Sequence, residues 1–190
     1  GRGGEDPASR ARLTASVSER LAASVERARS GSSEAFRETA EKLLVDVAGL
    51  CVAARNSDYV RAALAAWESA GNCSVIGHAR ALDAAGAAFV NGTAAHGEDF
   101  DDTFEGGPVH AGAVIVPAVL AIAEREKIPG KDILSGIAVG AEIMCRASLV
   151  APKRIHQAGF HPTAVLGAVG AAAAVATALR LSKVQFVNAL

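Results

Sequence analysis

Residues 96 to 103 read His96-Gly97-Glu98-Asp99-Phe100-Asp101-Asp102-Thr103, which puts one imidazole and four carboxylates within seven positions. An imidazole, a carboxylate and a hydroxyl held close together can serve as acid, base and hydrogen-bond donor toward a substrate. As a helix, the segment would place His96, Asp99 and Thr103 at i, i+3 and i+7, on one face. Asp102 would then sit at the edge of that face, and Asp101 would point elsewhere.

Two other chemistries compete for the same residues. Asp101-Asp102-x-x-Glu105 offers the oxygen ligands that magnesium prefers, as in the acidic patch of helical isoprenoid synthases. Those enzymes line a cavity with aromatics, however, and six Phe, one Trp and one Tyr supply few. No second acidic cluster follows downstream to complete such a site. The other competitor is a solvated acidic face just past a helix end. Negative charge there opposes the helix macrodipole, so the acids do not serve local helix stability. The apolar run before them (Ala87, Ala88, Phe89, Val90) suits a buried element reaching the surface at the mouth of a pocket.

The histidines add to the cluster. His110 follows the Gly106-Gly107-Pro108 turn and opens an apolar segment, and His161 does the same within Gly159-Phe160-His161-Pro162. An imidazole at a helix N-terminus has its basicity lowered by the dipole and can titrate near neutrality as acid or base. His96 is either an orienting partner of Asp99 or a satisfied side chain, and His78 reads as structural. No Gly-x-Ser-x-Gly elbow and no glycine-rich phosphate loop is present, which sets aside serine hydrolysis and P-loop chemistry.

The elements that must position these residues are helical. Of 190 residues, 51% are hydrophobic and only 4% aromatic, so a sizeable core is built from small and aliphatic side chains. Val17, Leu21 and Val25 mark a first helix that Gly31 can end. Ser33 can cap a second, with Phe36, Ala40, Leu43, Val47 and Cys51 as its apolar stripe. Asp58 can begin a third, Tyr59 to Ala70, and Asp83 a fourth that reaches about His96. Later helices are expected over about 109–126, kinked at Pro117, over 131–150, and from Thr163 to Leu181 behind Pro162. Gly136-x-x-x-Gly140 is a cue for close helix packing. There is no strand alternation, repeat or interdomain linker, so the fold expected is an all-α bundle over residues 15–190. Residues 1–14 read as a flexible lead-in. The chain ends where an amphipathic helix (Val184, Phe186, Val187, Leu190) has just begun, which reads as truncation of a longer domain.

Several function classes are disfavoured. Nineteen basic and twenty acidic residues give a formal net charge of −1, with no basic tract for nucleic acid or anionic membrane. Cys51, Cys73 and Cys145 form no metal or disulfide spacing and read as buried thiols in a reducing cytoplasm. Ala158–Leu179 carries no formal charge, but its Ala/Gly composition reads as a buried helix, not a membrane span.

The run from Asn91 to Thr103 closely resembles the signature of the MmgE/PrpD family of dehydratases, decarboxylases and epimerases of small polycarboxylates. The likeness extends to Leu43-Leu44-Val45-Asp46-Val47-Ala48-Gly49, to His110 and its apolar helix, and to Ala158-Gly159-Phe160-His161-Pro162-Thr163. The resemblance implies the N-terminal part of a large all-helical domain, a smaller α+β domain outside this chain, a cleft active site and a homodimer. It implies a cofactor-independent and metal-independent lyase, with a 2-methylcitrate dehydratase-like reaction as the leading reading. The rivals are an epimerase of the same family and a non-catalytic helical dimerisation module. By position, Asp99 would be a base or proton relay, His110 and His161 would bind carboxylate or donate a proton, and Thr103, backed by His96, would orient substrate. The family's active-site lysines and a tyrosine would lie beyond Leu190. Two departures stand out: Thr103 to His110 is one residue longer than in the family's decarboxylase branch, and Ala111 stands where proline is common.

Overall fold

The computed structural model describes residues 15–29 and 34–190. The expected lead-in over 1–14, the stop at Gly31 and the cap at Ser33 lie outside them. Among the described residues the chain forms nine helices and one two-stranded sheet. Helix α1 (Val17–Arg29) begins with a reciprocal cap: Ser16 Oγ accepts from the Glu19 N–H at 3.2 Å, and the Ser16 N–H donates to the Glu19 carboxylate at 2.7 Å. Then follow α2 (Glu34–Ala54) and α3 (Asp58–Ala66).

Helix α3 stops four residues short of the expected Ala70. Trp67 leaves helical geometry, stacks on Phe89 at 5.6 Å and donates its indole N–H to Asp83 at 3.0 Å. Arg80 takes up the freed Leu64 and Trp67 carbonyls. The chain then runs as β1 (Ala70–Ser74), paired antiparallel with β2 (Ala81–Leu82). This small ribbon was not evident in the sequence pattern, because the strands are too short and mostly exposed to alternate.

Asp83 caps α4 (Ala84–His96) through the Gly86 N–H at 2.7 Å, as its position suggests. Helix α5 (Ala111–Glu126) runs continuously through the buried Pro117. Helices α6 (Gly130–Ser148), α7 (Arg154–Gln157), α8 (Pro162–Ala178) and α9 (Lys183–Ala189) complete the order, with Pro162 in the first turn of α8. The main core gathers α2, α4, α5, α6 and α8 around Val47, Val90, Ile115, Val116, Ile137 and Met144. A second cluster joins α1, α6, α8 and α9 through Val25, Ile143, Ala173 and Phe186. Cys51 and Cys73 are buried and donate to the Asn91 and Ala121 carbonyls, and burial pushes the Cys51 and Cys145 thiols up to about 11. None of the described helices is long and apolar enough to cross a membrane.

The glycine pair in α6 explains why so little aromatic bulk suffices. A Cβ at Gly140 would lie 2.6 Å from Ala174 Cβ and 2.9 Å from the Gly170 carbonyl oxygen, so α6 and α8 meet almost backbone to backbone. Gly140→Val should therefore destabilise the fold by about 1–3 kcal/mol through overpacking. Urea denaturation of the 190-residue chain measures this, and an unchanged midpoint would refute so tight a contact.

Candidate functional site

Helix α4 ends at His96, with Gly97 as its C-cap and the Gly97 N–H bonded to the Thr93 carbonyl. The shared helical face expected for His96, Asp99 and Thr103 therefore does not form. Residues 98–103 are a loop: Gly97 still has helical angles, and the chain leaves the helix axis in the turn that follows it. The Asp99 N–H bonds back to the His96 carbonyl at 3.0 Å, and Asp99 itself takes the left-handed conformation at φ +56°. Asp is among the few residues that tolerate that region. The loop still brings the candidates together, by folding back over the helix starts at His110 and His161.

Three imidazoles converge there from three elements. His96 closes α4, His110 precedes α5 and His161 precedes α8, with ring centroids 4.8 Å apart for His96–His110, 5.5 Å for His96–His161 and 6.0 Å for His110–His161. His96 Nε2 and His161 Nε2 approach to 3.3 Å. Asp99, with its side chain 78% exposed, stands at the rim 3.6 Å from His110 Nε2. Thr103 Oγ1 lies 3.5 Å from His110 Nδ1.

The largest correction concerns Asp101, which the helical register pointed away. It is 6% exposed and sits beneath the cluster. His96 Nδ1 reaches its two carboxylate oxygens at 2.9 and 3.1 Å, and His110 Nδ1 lies 3.5 Å from Oδ1. Asp102 is a structural cap: its carboxylate accepts from the Ala111 N–H at 3.2 Å and the Gly112 N–H at 2.8 Å. The His110 N–H donates to Thr163 Oγ1 at 3.1 Å, so the start of α5 is tied to the start of α8. Burial, then the neighbouring Asp101, raises the Asp102 carboxyl above the ordinary range, against the lowering effect of its two N–H donors.

His161 titrates below the ordinary imidazole value, chiefly through desolvation and then through repulsion by His96, His110 and His156, with Asp99 opposing. The direction is the one expected at a helix start, and burial and the crowding of imidazoles both act in it. His156, on α7, stacks toward His161 with centroids 6.3 Å apart. It was missed with Asp101 and Thr163, although all three lie within five residues of a recognised histidine. His78 lies apart from the cluster, with its Nε2 buried and unpartnered.

His96, Asp99, Asp101 and His110 each bring one potential ligand atom within 4.8 Å of the others. Two imidazoles and two carboxylates are a donor set known to divalent ions. The contacts, however, divide the two nitrogens of His110 between two different carboxylates, Asp101 at Nδ1 and Asp99 at Nε2. The same groups can also hold and pass protons, and the imidazoles can receive a carboxylate ligand.

Residues 19–190 match the model of the MmgE/PrpD N-terminal domain. Human cis-aconitate decarboxylase is 40% identical over 114 residues, covering 55% of this chain and 22% of the human protein. The cis-aconitate decarboxylase of Aspergillus terreus is 31% identical over 163 residues, covering 80% of this chain and 33% of that protein. The chain thus spans a third or less of the length of these curated relatives.

Proposed function

The chain belongs to the MmgE/PrpD family, and from that premise we propose that it carries one wall of the active site of a lyase acting on a small di- or tricarboxylate. The observation that carries this reading is the convergence of His96, His110 and His161, with Asp99 at the rim. Imidazoles drawn from three elements form a receptor for carboxylate groups and a source of protons. A carboxyl group acidifies the adjacent C–H, Asp99 takes that proton, and His110 or His161 donates to the departing group or holds a carboxylate. Thr103 orients the substrate by hydrogen bonding.

Loss of hydroxide from a 2-methylcitrate-like substrate is the leading reaction. Decarboxylation is the second reading, favoured by the similarity to cis-aconitate decarboxylases. No cofactor or metal is assigned to the chemistry. A cytoplasmic homodimer, with the rest of the cleft supplied by sequence outside these residues, is part of the same proposal.

The test uses the natural protein that contains this chain. It is incubated in D2O with 2-methylcitrate and, separately, with cis-aconitate, and deuterium at the α-carbon and product formation are followed by NMR. Dehydration, decarboxylation or exchange alone identifies a dehydratase, a decarboxylase or an epimerase respectively. Absence of all three from a folded protein would leave the non-catalytic module as the better account. Turnover should also survive excess EDTA, and loss of activity that added magnesium or zinc restores would overturn the metal-free mechanism.

A further inference from the structure

We propose that Asp101 is a positioning residue that makes His96 and His161 a two-histidine proton relay, with His96 as the store and His161 as the outlet. The inference rests on the lyase reading above and assigns roles within that site.

The geometry leaves few alternatives for the protons. A carboxylate only accepts, so the 2.9 Å contact requires His96 to carry a proton on Nδ1. His96 Nε2 then faces His161 Nε2 at 3.3 Å, and two nitrogens at that distance hold one proton between them, not two and not none. Two states satisfy these contacts and keep any positive charge beside the Asp101 carboxylate. In the first, both rings are neutral: His161 donates Nε2–H to His96, and its Nδ1 is bare. In the second, one proton richer, His96 is an imidazolium that donates from both nitrogens, and His161 is neutral with its proton on Nδ1.

Passage from the second state to the first balances. The His161 Nδ1–H bond breaks and the proton goes to the substrate's departing oxygen or carbanion, whose electron pair forms the new bond. The His96 Nε2–H bond breaks as the His161 Nε2–H bond forms. Positive charge is kept on His96, which contacts the buried carboxylate of Asp101 at 2.9 Å, in preference to His161. His161's weakened basicity fits that division.

Other groups face the pair. His110 from the start of α5 and His156 from α7 oppose a further positive charge, and Asp99 from the loop favours it. Of these groups and Asp101, only Asp101 contacts His96 Nδ1 at hydrogen-bond distance.

Asp101→Asn keeps shape and one acceptor but removes the charge. In the natural full-length protein, kcat should fall about 10- to 100-fold with KM changed less than about twofold, as expected for a lost proton-transfer contribution. The acid limb of the kcat–pH profile should also move. His96→Gln should give a similar loss, and the double variant should be little worse than either single one, because both break one relay. In the same full-length protein, 15N-resolved imidazole NMR should place the neutral His96 proton on Nδ1, and Asp101→Asn should shift it toward Nε2. An unchanged pH profile and tautomer in a folded, active Asp101→Asn protein would overturn the relay while leaving the lyase reading intact. A native protein inactive on every polycarboxylate, but with the Asp101-dependent tautomer present, would overturn the lyase reading alone.

Discussion

Asp99→Asn is expected to lower the turnover of the full-length protein by about 100- to 10,000-fold, the range lost when a general base is neutralised. The substitution isolates charge unusually well. Asp99 occupies the left-handed region at φ +56°, which Asn also tolerates, so the backbone carries no new strain. The side chain is 78% exposed and supports no part of the core. Its proximity to His110 Nε2, at 3.6 Å, puts the carboxylate on the open side of the imidazole cluster, where a substrate C–H would arrive. The expected signature is a kcat loss with an unchanged thermal midpoint and with deuterium exchange at the substrate α-carbon abolished. Asp99→Ala should lose as much activity and also about 1 kcal/mol of stability, because alanine is penalised at positive φ. Retention of exchange in Asp99→Asn would remove Asp99 as the base and transfer that role to a histidine or to a group outside this chain.

What the sequence revealed, and what it concealed, follows from how far each signal reaches. The helices were legible because small and aliphatic residues recur at helical spacing over a dozen positions, and because caps such as Asp83 and Pro162 act locally. The close approach at Gly140 was legible for the same reason, since a glycine four residues from another on an apolar face has few other uses. The convergence of His110 and His161 was suggested by their shared place at the starts of apolar helices. The inner half of the site was concealed. A helical extension through Gly97 gave Asp99 and Thr103 a common face that does not exist and turned Asp101 away from the residues it serves. In a loop, side-chain direction is set by tertiary contacts and not by period, so no spacing rule could have found Asp101 beneath His96. Thr163 escaped for a related reason, because its hydroxyl meets the His110 N–H across 53 positions of sequence.

Asp102→Ala is expected to cost about 2–3 kcal/mol of folding stability, the sum of a lost helix cap and backbone donors left without a partner. The Ala111 and Gly112 N–H groups both end on this carboxylate, and Gly112 allows it to approach where a Cβ would collide with Oδ1. Helix α5 would lose its start, and with it the position of His110, so kcat should fall in the same variant. Asp102→Asn separates shape from charge, since the amide oxygen still accepts from one N–H. Its pH dependence has a definite sign. The folded carboxyl titrates above its unfolded value of about 3.9, so the native state binds the proton more tightly. The stabilising contribution of that proton is full below the unfolded value and is lost as pH rises through the raised folded value. Relative to Asp102→Asn, the natural chain should therefore be at its best in acid and lose ground on the way to neutrality. Urea denaturation at pH 4 and pH 7 on all three proteins measures both effects. An alanine variant within about 0.5 kcal/mol of the natural chain would show that water replaces the cap. A difference from asparagine that grew with rising pH would show that the two N–H donors outweigh the burial of the charge.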